Sequence, residues 1–261
     1  MYDNLKGKVA VVTGGSKGIG FAIANLLSKH GVIVVLVSRN KQNLQHAASM
    51  LSENVVEFDI INGDVANLEL PEIVVKRTLK KYGKIDILIN NASGPPLGNF
   101  MDQNESDWKS AIDTNLLSAI RFSSVIAPIM KENSWGRIIS VTSTLAKEPS
   151  PNMVLSSTVR AGLSAFTKAI STELAEFNIT VNNICPGGVL TDRLKDLIEQ
   201  RSEIEGKESK ELIRDSQQNI PMKRFATPDE IAQAALFLLS DGGSYVTGVS
   251  LVVDGGLTKS F

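Results

Sequence analysis

Residues 9–31 read VAVVTGGSKGIGFAIANLLSKHG, and three structural signals follow one another in that run without a gap. VAVVT (9–13) is short, continuously apolar and β-branched, the pattern of a strand buried on both faces. FAIANLLSKH (21–30) has the period and length of a helix and closes on Gly31. Between them, TGGSKGIG (13–20) places Gly14, Gly18 and Gly20 where the chain must turn sharply. Glycines there let a phosphate approach the backbone, and a helix amino terminus offers that phosphate free N–H groups and a partial positive charge. A strand, a glycine turn and a helix leading into a second strand at VIVVLVS (32–38) make a complete βαβ unit with a pyrophosphate cradle.

Working outward, the same alternation recurs. Strand-like runs stand at VVEFDI (55–60), IDILIN (85–90), GRIISVTS (136–143), TVNNIC (180–185) and VSLVVD (249–254), with helical segments such as PDEIAQAALFLL (228–239) between them. Alternating strand and helix predicts an α/β fold: a doubly wound parallel sheet of about seven strands with helices on both faces, in one domain over residues 1–261. One segment breaks the pattern. DRLKDLIEQRSEIEGKESKELIRD (192–215) has 14 charged residues among 24, too many for a core, so a surface excursion is expected over about 190–220. It reads either as a solvated helical pair or as a mobile lid over a substrate.

Composition narrows the partners. Lys plus Arg number 27 against 28 Asp plus Glu, a net charge of −1, which points away from nucleic acid and membrane surfaces and toward a small-molecule substrate. No apolar stretch approaches the roughly 20 residues that cross a bilayer. The single Cys185 cannot form an internal disulfide, and MYDNLKGKVAVV lacks the charge-then-apolar pattern of a leader, so a cytoplasmic setting is expected. His30 and His46 fall on the helices after the first two strands and read as packing or surface residues; Cys185 reads as a small buried apolar residue rather than a nucleophile.

The end of the second strand selects the nucleotide. An NAD site commonly puts a carboxylate there for the ribose hydroxyls, whereas this chain has Ser38 and Arg39. A guanidinium at that place matches a 2′-phosphate through two charge-assisted hydrogen bonds, and Lys17 in the glycine loop adds a second cation. The expected cofactor is NADP in preference to NAD.

From Leu5 to Leu257 these motifs, in this order and spacing, resemble the short-chain dehydrogenase/reductase family, particularly its 3-oxoacyl-carrier-protein reductases and glucose dehydrogenases. TGGSKGIG is similar to the family's TGxxxGxG loop, which implies that Gly14, Ser16, Lys17, Gly18, Ile19 and Gly20 bind the cofactor of a Rossmann fold. Asp64 and Val65 resemble the pair that contacts adenine, and Asn90-Asn91-Ala92-Ser93 resembles the NNAG motif with a serine in place of its glycine. CPGGVLT (185–191) is similar to the PG motif, implying that Pro186, Gly187, Val189 and Thr191 hold the nicotinamide. Asn115 and Ser143 fall where the family keeps its catalytic asparagine and serine.

The family pattern then calls for a tyrosine 13 positions after the serine and a lysine four further on; counting from Ser143 gives Ser156 and Arg160, just before the small pair Ala161-Gly162. The only tyrosines are Tyr2, Tyr82 and Tyr245, so no shift of register recovers the phenol. An aliphatic hydroxyl is a far weaker acid than a phenol of pKa about 10, and a positioned general acid is worth about 10² to 10⁴ in rate. Ser156 can still pass a hydrogen bond to water, and Arg160 can hold the nicotinamide ribose and place positive charge beside an oxyanion. Lys147 and Glu148, in the loop after Ser143, are alternative proton sources, although two solvent-facing charges is the simpler reading.

The reading that follows is an NADP-dependent oxidoreductase interconverting a carbonyl and an alcohol on a small or acyl-type substrate, with Asn115, Ser143, Ser156, Arg160 and water completing the proton path. A variant reduces a double bond or imine. The alternative is a non-catalytic NADP-binding sensor or assembly protein. A helix from Val154 to Phe177 carries Leu155, Val159, Leu163, Phe166, Ile170 and Leu174, an apolar surplus that suggests a buried interface, and the resemblance implies a homotetramer or homodimer built partly on it.

Overall fold

In the computed structural model, which describes residues 2–54 and 56–260, the apolar runs form seven strands: β1 Val9–Thr13, β2 Ile33–Ser38, β3 Phe58–Asn62, β4 Ile87–Asn90, β5 Gly136–Val141, β6 Ile179–Pro186 and β7 Ser250–Val253. They make one sheet in the order β3-β2-β1-β4-β5-β6-β7, parallel throughout. Nine α-helices accompany them among the described residues: α1 Gly18–Lys29, α2 Lys41–Leu51, α3 Leu70–Tyr82, α4 Glu105–Ile112, α5 Ser118–Glu132, α6 Val154–Leu174, α7 Asp192–Glu205, α8 Ser209–Asn219 and α9 Pro228–Leu239.

The pleat sends alternate side chains to opposite faces. Ala10, Val12, Ile139 and Val141 pack with Ile23 and Leu27 of α1, Leu44 of α2 and Leu236 of α9. Val9, Val11, Leu88 and Ile138 pack with Val74 of α3, Phe122 and Ile126 of α5 and Leu174 of α6. Both faces are therefore sealed by helices, the doubly wound arrangement expected from the alternation. The winding reverses between β1 and β4, which opens a crevice at their carboxyl ends, the place where such sheets bind ligands.

Local chemistry sets the element ends. The TPDE run (227–230) starts α9 with a reciprocal cap: Thr227 Oγ1 accepts from Glu230 N at 3.3 Å while Glu230 Oε2 accepts from Thr227 N at 2.8 Å. Two strands begin two or three residues later than the apolar runs suggest. β3 lies at the sheet edge and pairs only with β2, so it begins at Phe58, opposite Val34; Val56 and Glu57 fall before it and Val55 lies outside the described residues. Before β4, Asp86 bonds to both neighbours through its backbone, donating its N–H to the Val9 carbonyl (2.9 Å) and accepting from Arg137 N (3.1 Å), while its carboxylate accepts from Val9 N (2.8 Å) and closes the start of β1.

The charged excursion folds as the pair α7 and α8, turning at Gly206 (φ +66°) and burying one face through Ile198 and Leu212. The expected apolar surplus of α6 is largely used inside the chain: Leu155, Val159, Leu163 and Leu174 are all buried, leaving Phe166 and Ile170 half-exposed, so the stripe by itself does not argue for an interface. No helix of the described residues is long and apolar enough to cross a membrane.

Candidate active site

A cleft of about 760 Å³ opens over the carboxyl ends of the central strands. Its floor on the β1 side is the glycine loop, held in place by Asn91. The Asn91 N–H donates to Thr13 Oγ1 (2.9 Å) and its Nδ2 to the Gly14 carbonyl (3.2 Å). Gly14 has φ +57°, and a Cβ there would come within 2.5 Å of Asn91 Nδ2, so both its conformation and its surroundings require glycine. Ser16, Lys17, Gly18 and Ile19 line the cleft. Gly20, the sixth residue the motif implies for the cofactor, is not among the residues lining the cleft: it sits behind the loop, where a Cβ would collide with the Gly14 carbonyl, so close packing of helix on turn requires glycine there. Lys17 at the amino end of α1 makes no side-chain cap, so the first-turn N–H groups are left for a ligand.

At the end of β2, Asn62 Nδ2 donates to the carbonyls of Ser38 (3.0 Å) and Arg39 (2.9 Å), fixing the backbone that presents Arg39. Its guanidinium is solvent-exposed and stands 3.8 Å from Asp64, too long for more than a loose pair. Lys17 reaches Asp192 at 3.2 Å, also exposed. Ser16 and Ser38 join hydroxyls at 2.9 Å beneath them. A dinucleotide with a 2′-phosphate fits this end: the backbone cradle is open, two cations flank it, and β2 ends without a carboxylate. Val65, Ala92, Ser93, Pro186, Gly187, Val189 and Thr191 line the cleft with Asp64 and Asn91, as the motifs imply. Thr191 also caps α7 through Leu194 N (3.4 Å).

The opposite wall is built by β5 and α6. Ser143 follows β5, and its Oγ accepts the Leu145 N–H at 3.2 Å. Ser156 sits in the first turn of α6, where its Oγ accepts from Arg160 Nε at 3.1 Å, one helical turn on. Arg160 Nη1 donates to the carbonyls of Val141 (3.1 Å) and Thr142, tying α6 to the backbone immediately before Ser143. Burial, and next the charge of Arg193, bring the Arg160 guanidinium down to about 10, so it remains a cation at neutral pH. Each serine oxygen thus accepts a protein N–H while its own hydroxyl proton has no acceptor among the described residues. Asn115 lies in a π-turn (Asp113–Leu117) between α4 and α5, with Nδ2 donating to the Ala111 carbonyl at 3.3 Å. All four residues line the one cleft.

Other residues fall outside it. None of the three tyrosines, neither histidine, and neither Lys147 nor Glu148 lines the cleft. Glu148 instead accepts the N–H groups of Lys259 and Ser260, both at 2.6 Å, and these bonds hold its carboxyl below the ordinary range. Cys185 is buried with the Thr142 hydroxyl 3.1 Å from its sulfur, and burial raises its thiol. Sequence reasoning missed Arg193. It is the second residue of α7, it donates to the Pro95 carbonyl across the cleft mouth, and no local pattern distinguishes it from the other charges of the excursion.

Comparison with known proteins places the fold and the family. The family model described as enoyl-(acyl carrier protein) reductase matches residues 14–258. A 3-oxoacyl-[acyl-carrier-protein] reductase of Chlamydia muridarum is 38% identical, over 98% of this chain and 100% of its own. Among solved structures, L-sorbose reductase of Gluconobacter frateurii, complexed with NADPH and L-sorbose, is similar with a TM-score of 0.94 at 33% identity, covering 100% of both chains. YwfH, an NADPH-dependent reductase involved in bacilysin biosynthesis, is similar with a TM-score of 0.92 at 32% identity, over 97% of this chain and 99% of its own. The chain belongs to the short-chain dehydrogenase/reductase family.

Proposed function

We propose that this protein is an NADP-dependent reductase of a small carbonyl or a conjugated double bond, working through an oxyanion site of hydroxyls and a guanidinium in place of a phenol. NADPH, when bound, supplies the hydride. Arg39 and Lys17 hold its 2′-phosphate, the glycine loop and first turn of α1 its pyrophosphate, and Pro186, Gly187, Val189 and Thr191 its nicotinamide end.

The observation that carries the reading is the hydrogen-bond state of the two serines. Ser143 accepts from Leu145 N and Ser156 from Arg160 Nε, so both hydroxyls are oriented by a donor and keep their own protons to give. Directed at one substrate oxygen, they stabilise the negative charge that grows there, with Arg160 as a third source of positive potential. Neither serine is acidic enough to surrender its proton outright, so water completes protonation of the product. A preorganised donor of this kind is worth about 10² to 10³ in rate, enough for slow turnover without a general acid. Asn115 shapes the wall beside them.

The test is to titrate purified protein with NADPH and NADH by fluorescence, then to follow NADPH oxidation against a panel of ketones, aldehydes and enones. NADPH binding tighter than NADH, with slow turnover that falls in Ser143→Ala and Ser156→Ala, supports the proposal. Binding without turnover on every class would favour a non-catalytic NADP-binding protein, a reading that the lack of any tyrosine at the cleft keeps in view. Assembly as a homotetramer or homodimer and a cytoplasmic setting complete the proposal; a monomeric mass in solution contradicts the first.

A further inference from the structure

Arg160 on α6 and Arg193 on α7 meet at one point of the cleft mouth. A Cβ built on Gly94 would lie 3.2 Å from Arg160 Nη2 and 3.7 Å from Arg193 Nη2, so both guanidiniums flank the loop that follows β4. Two like charges this close repel, and each is partly withdrawn from water. Among the described residues neither has a carboxylate within salt-bridge distance. The acids of α7 are engaged elsewhere or more distant: Asp192 pairs with Lys17 and Lys195, and Asp196 tempers Arg193 from within its own helix. Arg160 spends Nε on Ser156 and Nη1 on two carbonyls, leaving Nη2 without a partner among the described residues; Arg193 uses only Nη2, on Pro95. Two converging cations with unspent donors and, among the described residues, no carboxylate within salt-bridge distance form a site for an anion.

We propose that the Arg160–Arg193 pair binds a carboxylate of the substrate, so that the compound reduced in this cleft is an acid. This rests on the reading of the cleft as a reductase site. Arg160 holds Ser156 through the same guanidinium, which puts the hydroxyl that meets the developing oxyanion beside the edge that meets the carboxylate. The reducible group therefore stands next to the carboxylate, as in a 2-oxo acid. For a 2-oxo acid, a hydride from NADPH adds to the carbonyl carbon, a proton from water reaches the oxygen, and the products are the 2-hydroxy acid, NADP⁺ and hydroxide. Arg193 belongs to the charged excursion, so the pair also gives α7 a reason to border the cleft.

The test is calorimetric titration of the protein saturated with NADP⁺, using matched probes: pyruvate against pyruvamide, and benzoylformate against its methyl ester. The proposal expects at least one acid to bind roughly 10- to 100-fold tighter than its neutral partner, Arg193→Gln to erase that preference, and Arg193→Lys to restore part of it. Equal binding of acid and neutral partner in every pair overturns it. So does an Arg193→Gln variant that loosens NADP⁺ as much as the acid, since the anion would then be a cofactor phosphate. Binding is read without turnover, so the two proposals fail separately. An acid preference with no NADPH oxidation retires the reductase reading and leaves the anion site standing, whereas turnover of neutral carbonyls with no acid preference does the reverse.

Discussion

The two walls of the cleft are made differently. On the β1–α1 side the working parts are backbone: N–H groups at an uncapped helix start, and glycines whose missing side chains leave room. On the β5–α6 side they are side-chain atoms, the hydroxyls of Ser143 and Ser156 and the guanidinium of Arg160. A backbone cradle tolerates no change at its tight positions, because strain follows at once. A side-chain wall exchanges its chemistry one residue at a time while the fold around it stays the same. The difference explains how a complete nucleotide site can sit opposite a wall without a phenol.

Supplying the missing chemistry tests the contrast most severely. Ser156→Tyr with Arg160→Lys should raise turnover by about 10² to 10⁴, the worth of a positioned general acid, with little change in NADPH affinity, in stopped-flow and fluorescence measurements. No gain would mean that the side-chain wall differs in more than its proton donor. The backbone wall should respond oppositely. Gly14→Ala combines a positive φ with a close approach to Asn91, which together cost the folded state about 2 to 4 kcal/mol; the melting temperature should fall, and NADPH titration should show a weaker site because the loop relieves the clash only by leaving its place in the cradle. Arg39→Ala should weaken NADPH by about 10- to 100-fold while leaving NADH binding unchanged, separating the 2′-phosphate contact from the shared cradle. The smallest effect belongs outside both walls: Thr227→Ala removes one cap of α9, costs about 1 kcal/mol, and should lower the melting temperature by a few degrees without changing either nucleotide's affinity.

Much of this was legible in the sequence because it is local. VAVVT, TGGSKGIG and FAIANLLSKH each carry their own signal, and the run from Ser143 through Ser156 to Arg160 gives the helical spacing at which the last two touch. Gly20 shows the limit of a motif: the pattern places it in the cradle, but only packing against Gly14 and Asn91 reveals that it supports the loop from behind. Arg193 shows the limit of composition. Its importance comes from reaching Pro95, which lies in a loop 98 residues away in the chain, and no periodicity within the excursion reports a contact made across the fold. The apolar residues of α6 show a further limit: Leu155, Val159, Leu163 and Leu174 are buried within the chain, and one helix read alone does not say how many sides its own chain will cover.

The most direct measurement of the central claim is the pH dependence of turnover for an active substrate at saturating NADPH. The donors proposed here do not titrate near neutrality: serine hydroxyls stay protonated, and Arg160, brought down to about 10 by burial and by Arg193, keeps its charge below that value and loses it above. The rate should be flat from about pH 6 to 9 and fall as pH rises through about 10. A bell-shaped profile with an ionisation near pH 7 would contradict it, by placing a conventional general acid in a wall where the account puts none.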